Sequence, residues 1–149
     1  MQYKPKIITE RNPMQMSKFP INSMSDVFVT RMHARRLAQQ LGFGPADQAR
    51  LSLAASELGH LIMVHVEERG EITISEVKQD EQRGIEIYCV MNEVVVENDE
   101  IVPTPQGHEF HHVLTGALQL VDESKVDIEN ERVAQIKLIK WLQPAHMMS

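Results

Sequence analysis

Residues Leu41 to His65 read LGFGPADQARLSLAASELGHLIMVH, and the reading of this stretch decides the architecture around it. Gly42 suits the left-handed conformation that closes a helix, because it has no Cβ to clash there. Gly44-Pro45 turns the chain. Asp47 follows near the start of a second helix, where a carboxylate complements the positive end of the helix dipole. Ala54, Leu58, Leu61, Ile62 and His65 recur at helical spacing and mark the apolar-leaning face of that helix, with the acid Glu57 near its middle.

Upstream, Ser23 or Ser25 caps a first helix by accepting a hydrogen bond from its free N–H groups. Val27, Ala34, Leu37, Ala38 and Leu41 give that helix a buried stripe. Residues 1–20 are rich in Lys, Met and Pro, with short extended pieces around Lys6–Thr9 and Met14–Phe19, and read as an N-terminal arm or edge strand. Downstream, Gly70 ends the helical half and the period changes. Ile72 and Ile74 alternate with Thr73 and Ser75, and Ile85, Ile87, Cys89 and Met91 alternate with Glu86, Tyr88 and Val90. Both runs have the period of a strand, and QDEQRG, Gln79 to Gly84, joins them as a hairpin. After Val94–Val96 comes a polar segment whose Pro103 and Pro105 exclude a central strand. Residues 107–121 are again helical, and two closing strands, Lys125–Ile128 and Val133–Leu142, meet at Glu129-Asn130-Glu131. The order predicts an α+β, two-layer sandwich with helices on one face of a largely antiparallel mixed sheet. The expected organisation is an arm at 1–20, a single domain at 21–142 and a tail at 143–149.

Composition excludes several functions. The chain's 149 residues suffice for one ordinary core. A net charge of -6 argues against a general nucleic-acid binder, which needs a basic face for the phosphates. No apolar run approaches the roughly 18–20 residues that span a bilayer, and no signal peptide is visible, so a cytoplasmic protein is expected. The charge is nevertheless polarised. Residues 1–50 hold eight Lys/Arg against three Asp/Glu, and residues 51–149 hold seven against eighteen. The lone Cys89 lies in an apolar alternating run and reads as a buried, inert thiol.

The second helix, its approach LGFGPADQARL and the closing strand IKLIKWL, Ile136 to Leu142, resemble the histidine-kinase-like ATPase superfamily, in the branch of the anti-sigma-factor serine kinases and stressosome switch kinases. The resemblance covers most of residues 25–142. In that family the helix carries Glu-x-x-x-Asn, whose Asn holds the magnesium ion of bound ATP. Here Glu57 matches the acid, while Leu61 stands at the Asn position, and a hard cation needs oxygen donors that an aliphatic chain lacks.

The family's other motifs are altered as well. Its Asp-x-Gly-x-Gly supplies an acid for the adenine amino group and glycines for close backbone approach. The matching stretch YCVMNEVVVEND, Tyr88 to Asp99, offers Met91 at the acid position, or Asn92 with a one-residue slip, and puts Glu93 and Val95 in place of the glycines. The glycine-rich lid, whose N–H groups wrap the phosphates, is replaced by TPQGHEFHHVLTGAL, with only Gly107 and Gly116. Three elements of one site depart together, so the resemblance implies that ATP and magnesium are no longer ligands and that Glu57 is vestigial.

Other chemistry is weaker. His108-Glu109-Phe110-His111-His112 spells a zinc-hydrolase string, with His108 and His112 on one helical face and Glu109 as general base. A third ligand would have to come from His146 or Glu123, neither at motif spacing. His60 and His65 lie five residues apart and diverge, His60 towards a pocket and His65 towards the core. Arg31, Arg35 and Arg36 form the one compact basic cluster, and the planar guanidinium fork holds carboxylates well. In relatives the first helix and the lid contact protein partners. The expectation is therefore a non-catalytic regulator that binds, through these arginines, a STAS-domain antagonist or another sigma-pathway regulator, with a homodimer left open. The alternative is an ATP-dependent serine/threonine kinase with an altered site, and the distant one a zinc protein.

Overall fold

The computed structural model describes the backbone of residues 13–65, 70–91, 96–97, 100–101, 105–129 and 132–143. Among these residues the order is β1 (Pro13–Ile21), α1 (Met24–Leu41), α2 (Pro45–His65), β2 (Gly70–Gln79), β3 (Gln82–Val90), β4 (Val96–Glu97), β5 (Glu100–Ile101), α3 (Pro105–Leu118), β6 (Glu123–Glu129) and β7 (Arg132–Trp141). Five strands make one sheet in the order β1-β2-β3-β7-β6, and β4 and β5 form a separate ladder. Every described pairing is antiparallel, so the sheet is not mixed. Both helix-rich and strand-rich halves fall where the change of period puts them. The extended piece Met14–Phe19 is part of edge strand β1, while Lys6–Thr9 and the whole tail after residue 143 lie outside the described residues.

Local chemistry fixes the helix ends. Ser23, not Ser25, is the N-cap of α1, with a complete capping box: the Ser23 hydroxyl accepts from the Asp26 N–H, and Asp26 Oδ2 accepts from the N–H of Ser23 at 3.1 Å. Gly42 closes α1 at φ 93°, a conformation that other residues adopt only with strain, and its N–H bonds back to the last turn. Pro45 opens α2, and Gln48 secures the turn by donating its side-chain N–H to the Phe43 carbonyl at 2.8 Å. Helix α3 runs from Pro105 rather than 107, since proline's fixed φ and missing N–H suit a first helical position. It ends at Leu118 rather than 121, because the Asp122 N–H bonds to the Ile139 carbonyl at 2.9 Å and draws the chain into the sheet. The β2–β3 turn is tighter than QDEQRG suggests. Gln79 pairs with Gln82, which leaves only Asp80 and Glu81 in the loop, with Asp80 at φ 55°. Gly70 opens β2 rather than ending α2.

Strand register sorts the core. One row crosses the whole sheet, Phe19–Ile72–Cys89–Ile136–Val126, and the next runs Ser17–Ile74–Ile87–Leu138–Ser124. The apolar members of these rows join Val27, Ala34, Ala38, Leu51, Leu58 and Leu61 of the helices and Phe110 and Leu114 of α3 in one buried cluster, with Phe19 packed at its edge. Val77, Ile139 and Trp141 alternate to the other face and form a second, small cluster. Within the helical layer α1 and α2 approach closely at Gly59, where an added Cβ would lie 2.9 Å from Val27 Cγ1.

That approach makes a test. Alanine is worth about 1 kcal/mol more than glycine in a helix interior, yet overpacking costs about 1–3 kcal/mol. Gly59→Ala should therefore lower stability in urea unfolding, and adding Val27→Ala should recover part of the loss through a coupling of about 0.5 kcal/mol or more in the double-mutant cycle. Additive effects would mean that the helices are not in contact there.

Candidate functional site

Helix α2 carries the candidate site on the flank away from α1. Glu57 is half-buried, and Leu61, one turn further on the same side, is 0% exposed. Met91, just past the end of β3, is 2% exposed. Leu61, Met91, Leu58 and Phe110 all belong to the main buried cluster, so the two positions that the resemblance would set against a ligand are core positions in this chain. Cys89 is wholly buried, and desolvation pushes its thiol far above the ordinary cysteine range, which removes it as a nucleophile at neutral pH. Asn92 and the side chain of His65 lie outside the described residues, and Gly107 falls in the first turn of α3. His60 is half-buried on α2.

An ionic cluster pins the start of α2 to the sheet. Lys140, buried on the helix-facing side of β7, brings its Nζ to 3.2 Å from Asp122 Oδ1 and 3.6 Å from Asp47 Oδ1. Asp122 also accepts the Trp141 backbone N–H at 2.7 Å. Asp47 therefore does more than favour the helix dipole: it anchors α2 to β7 and pairs with Arg50 at 2.7 Å.

The histidine string divides. His112 is exposed on α3, and His111, one residue earlier, brings its Nε2 to 3.4 Å from Thr115 Oγ1. His108 and Glu109 lie in α3, but their side chains are outside the described residues, as is His146. Glu123 is not available as a third ligand. Its register opposite Ile139 puts it on the sheet face away from α3, where it accepts the indole N–H of Trp141. Among the described residues no group of three or more His, Cys, Asp and Glu could hold a metal ion.

The arginines of α1 are exposed but not alike. Arg31 reaches across to α2 and donates its Nε–H to Ser52 Oγ at 3.2 Å. Arg35, four residues on, shares that face, whereas Arg36 turns towards the β1 side, beside His33. The His33 ring packs on Phe19, centroids 5.0 Å apart, and burial first, then the Arg36 charge, lowers its pKa. Sequence reasoning passed over a neighbouring feature: Met24, Phe28, Val29 and Met32 of α1 are exposed. The signal was legible, because Met24, Phe28 and Met32 recur every four residues outside the Val27, Ala34, Ala38 stripe.

The chain matches no family model. Among curated proteins it is similar to the serine/threonine-protein kinase RsbT of Bacillus subtilis (strain 168), 28% identical over 123 residues, which is 79% of this chain and 90% of that protein. The likeness spans nearly the whole relative, and it relates the chain to a kinase-like protein. Among the described residues no helix is long and apolar enough to cross a membrane.

If Leu61 is core, polar replacement should be costly. Leu61→Asn should lose about 2–5 kcal/mol in urea unfolding, combining lost apolar burial with a buried amide that needs partners. Leu61→Met, nearly equal in volume, should lose less than about 1.5 kcal/mol. Equal, small effects would mean that the position faces an open, wet cavity instead.

Proposed function

We propose that this protein is a non-catalytic regulator related to the anti-sigma-factor and switch kinases of the histidine-kinase-like ATPases, acting in a bacterial partner-switching or stress-signalling pathway. One observation carries the reading: Leu61, at the position where those kinases hold magnesium through Asn, is fully buried in the apolar core. A helix that presents CH₃ groups there offers no oxygen to a hard cation. Met91, buried where the adenine-binding acid belongs, adds to the argument. On this reading the protein works in the cytoplasm by binding, and its partners are a STAS-domain antagonist or another sigma-pathway regulator.

A second reading has its own support. The relative is named as a serine/threonine-protein kinase, and Glu57 is retained and half-buried rather than sealed in the core. An ATP-dependent kinase with an altered site would use Glu57 to orient the attacking hydroxyl. Calorimetric titration with Mg-ATP separates the two. No heat of binding and no labelled phosphate transfer to a STAS-domain protein are expected, and Leu61→Asn should restore neither, because Met91 remains. A dissociation constant in the low micromolar range, about -8 kcal/mol, would establish the kinase reading.

The partner face proposed is α1. Arg35→Glu is the clean variant, since Arg31 also supports buried Ser52 through its Nε–H, and removing that bond costs about 0.5–1.5 kcal/mol of stability. Arg35→Glu should leave the unfolding midpoint in place while the double variant with Arg31→Glu weakens partner binding more than about tenfold. The binding should also weaken with added salt, as screening shortens the reach of exposed charges. Unchanged affinity in the folded double variant would move the interface off α1.

A further inference from the structure

Helix α1 buries one stripe and leaves a second apolar row in solvent. Met24, Phe28 and Met32 are 57%, 58% and 45% exposed, and their four-residue spacing stacks them along one side of the helix. Single exposed apolar side chains are ordinary on a protein surface; a contiguous row rimmed by polar groups marks an interaction site. The rim here is cationic. Arg31 and Arg35 follow Phe28 by three and seven residues, so they lie on the same side as its ring. Among the described residues no carboxylate forms an ion pair with Arg31, Arg35 or Arg36, although acids greatly outnumber bases after residue 50.

This combination selects the occupant. A second copy docked through α1 about a two-fold axis would bring the same patch against itself. Arg31 and Arg35 would then face like charges without counter-ions, which is unfavourable in a desolvating contact. A partner helix with an apolar row bordered by carboxylates meets both features, because apolar anchors at helical spacing fill the row and guanidinium forks hold the acids. We propose that α1 seats an acidic amphipathic helix of a partner protein, packed on Met24, Phe28 and Met32 and held by Arg31 and Arg35. The inference rests on α1 being the partner face and adds the chemistry of what binds it.

The test uses the full chain and two labelled helix-forming peptides with the same leucine row, bordered in one by glutamates and in the other by lysines, followed by fluorescence anisotropy. The glutamate peptide should bind at least about tenfold tighter than the lysine peptide. Phe28→Glu and Met32→Glu, both at exposed positions, should each weaken it about tenfold or more with an unchanged unfolding midpoint. Arg35→Glu should narrow the preference between the peptides. Equal binding of both peptides, or none, overturns the acidic-helix assignment. Self-association that sedimentation detects and Phe28→Glu abolishes overturns it in favour of a second copy. These outcomes are independent of the parent reading: Mg-ATP binding would refute the non-catalytic assignment and leave the peptide result standing. Arginine-dependent binding of a STAS-domain protein with no peptide binding would keep the face and remove the helical occupant.

Discussion

The contact of Val27 with Gly59 sets the geometry of the helical layer, and the rest of the surface follows from it. Only a residue without a Cβ lets α2 come this close to Val27. Once Val27 is turned inwards, the 100° step of the helix turns Phe28 outwards, and Met24 and Met32 with it. The same step on α2 sends Ala54, Ala55, Leu58 and Leu61 towards the sheet, where all four are buried, and leaves Glu57 at the margin. The candidate site and the exposed row on α1 are thus two consequences of one packing choice.

Lys140 governs where that layer sits on the sheet. A lysine facing the core is costly unless its charge is met, and here Asp47 and Asp122 meet it from two different elements. Such a cluster contributes little net stability compared with an apolar replacement, but it is selective, because removing any one member leaves a poorly solvated charge behind. It specifies that the start of α2 and the entry to β6 share one end of β7. Leu61 and Met91 are held within this frame.

Most of the fold was legible in the sequence because its signals were local and agreed with one another. Ser23 with Asp26, Gly42, the switch from helical to alternating period after Gly70, and the alternation of Ile85, Ile87 and Cys89 each point to one structure. The misses came where tertiary contacts overrode local pattern. Val121 continues the periodicity of α3, but the Asp122 N–H finds the Ile139 carbonyl and the helix stops at Leu118. Glu123 looks like a spare carboxylate in sequence, yet register puts it across the sheet beside the Trp141 indole. The short β4–β5 ladder had no signal, since two-residue strands carry no measurable period. Of the candidate site, the chemical type of Leu61 and Met91 was readable, and their depth was not. Exposure depends on what packs from α3, far along the chain. The outward row of α1 is masked for the opposite reason: the buried stripe Val27, Ala34, Leu37 and Ala38 is the stronger of two regular spacings on the same helix.

The candidate site and the contact with α1 lie on opposite flanks of α2. Ser52 and Gly59, seven residues apart, share the flank that meets α1 through Arg31 and Val27. Ala54 and Leu61, also seven apart, share the other flank, with Glu57 beside them. Side chains on opposite flanks of one helix do not face each other, and substitutions without shared contacts combine nearly additively. On the proposed reading, an exchange of Asn for an aliphatic residue at the Leu61 position would perturb the α1 surface little. It also stabilises the fold locally, because an apolar side chain there needs neither metal nor water to satisfy it. On the proposed reading, a chain of this architecture loses its ligand chemistry by ordinary core substitution while helix α1, the proposed partner face, remains under separate constraint. The exposed Phe28, which nothing in the core requires, is the residue that such a constraint would explain.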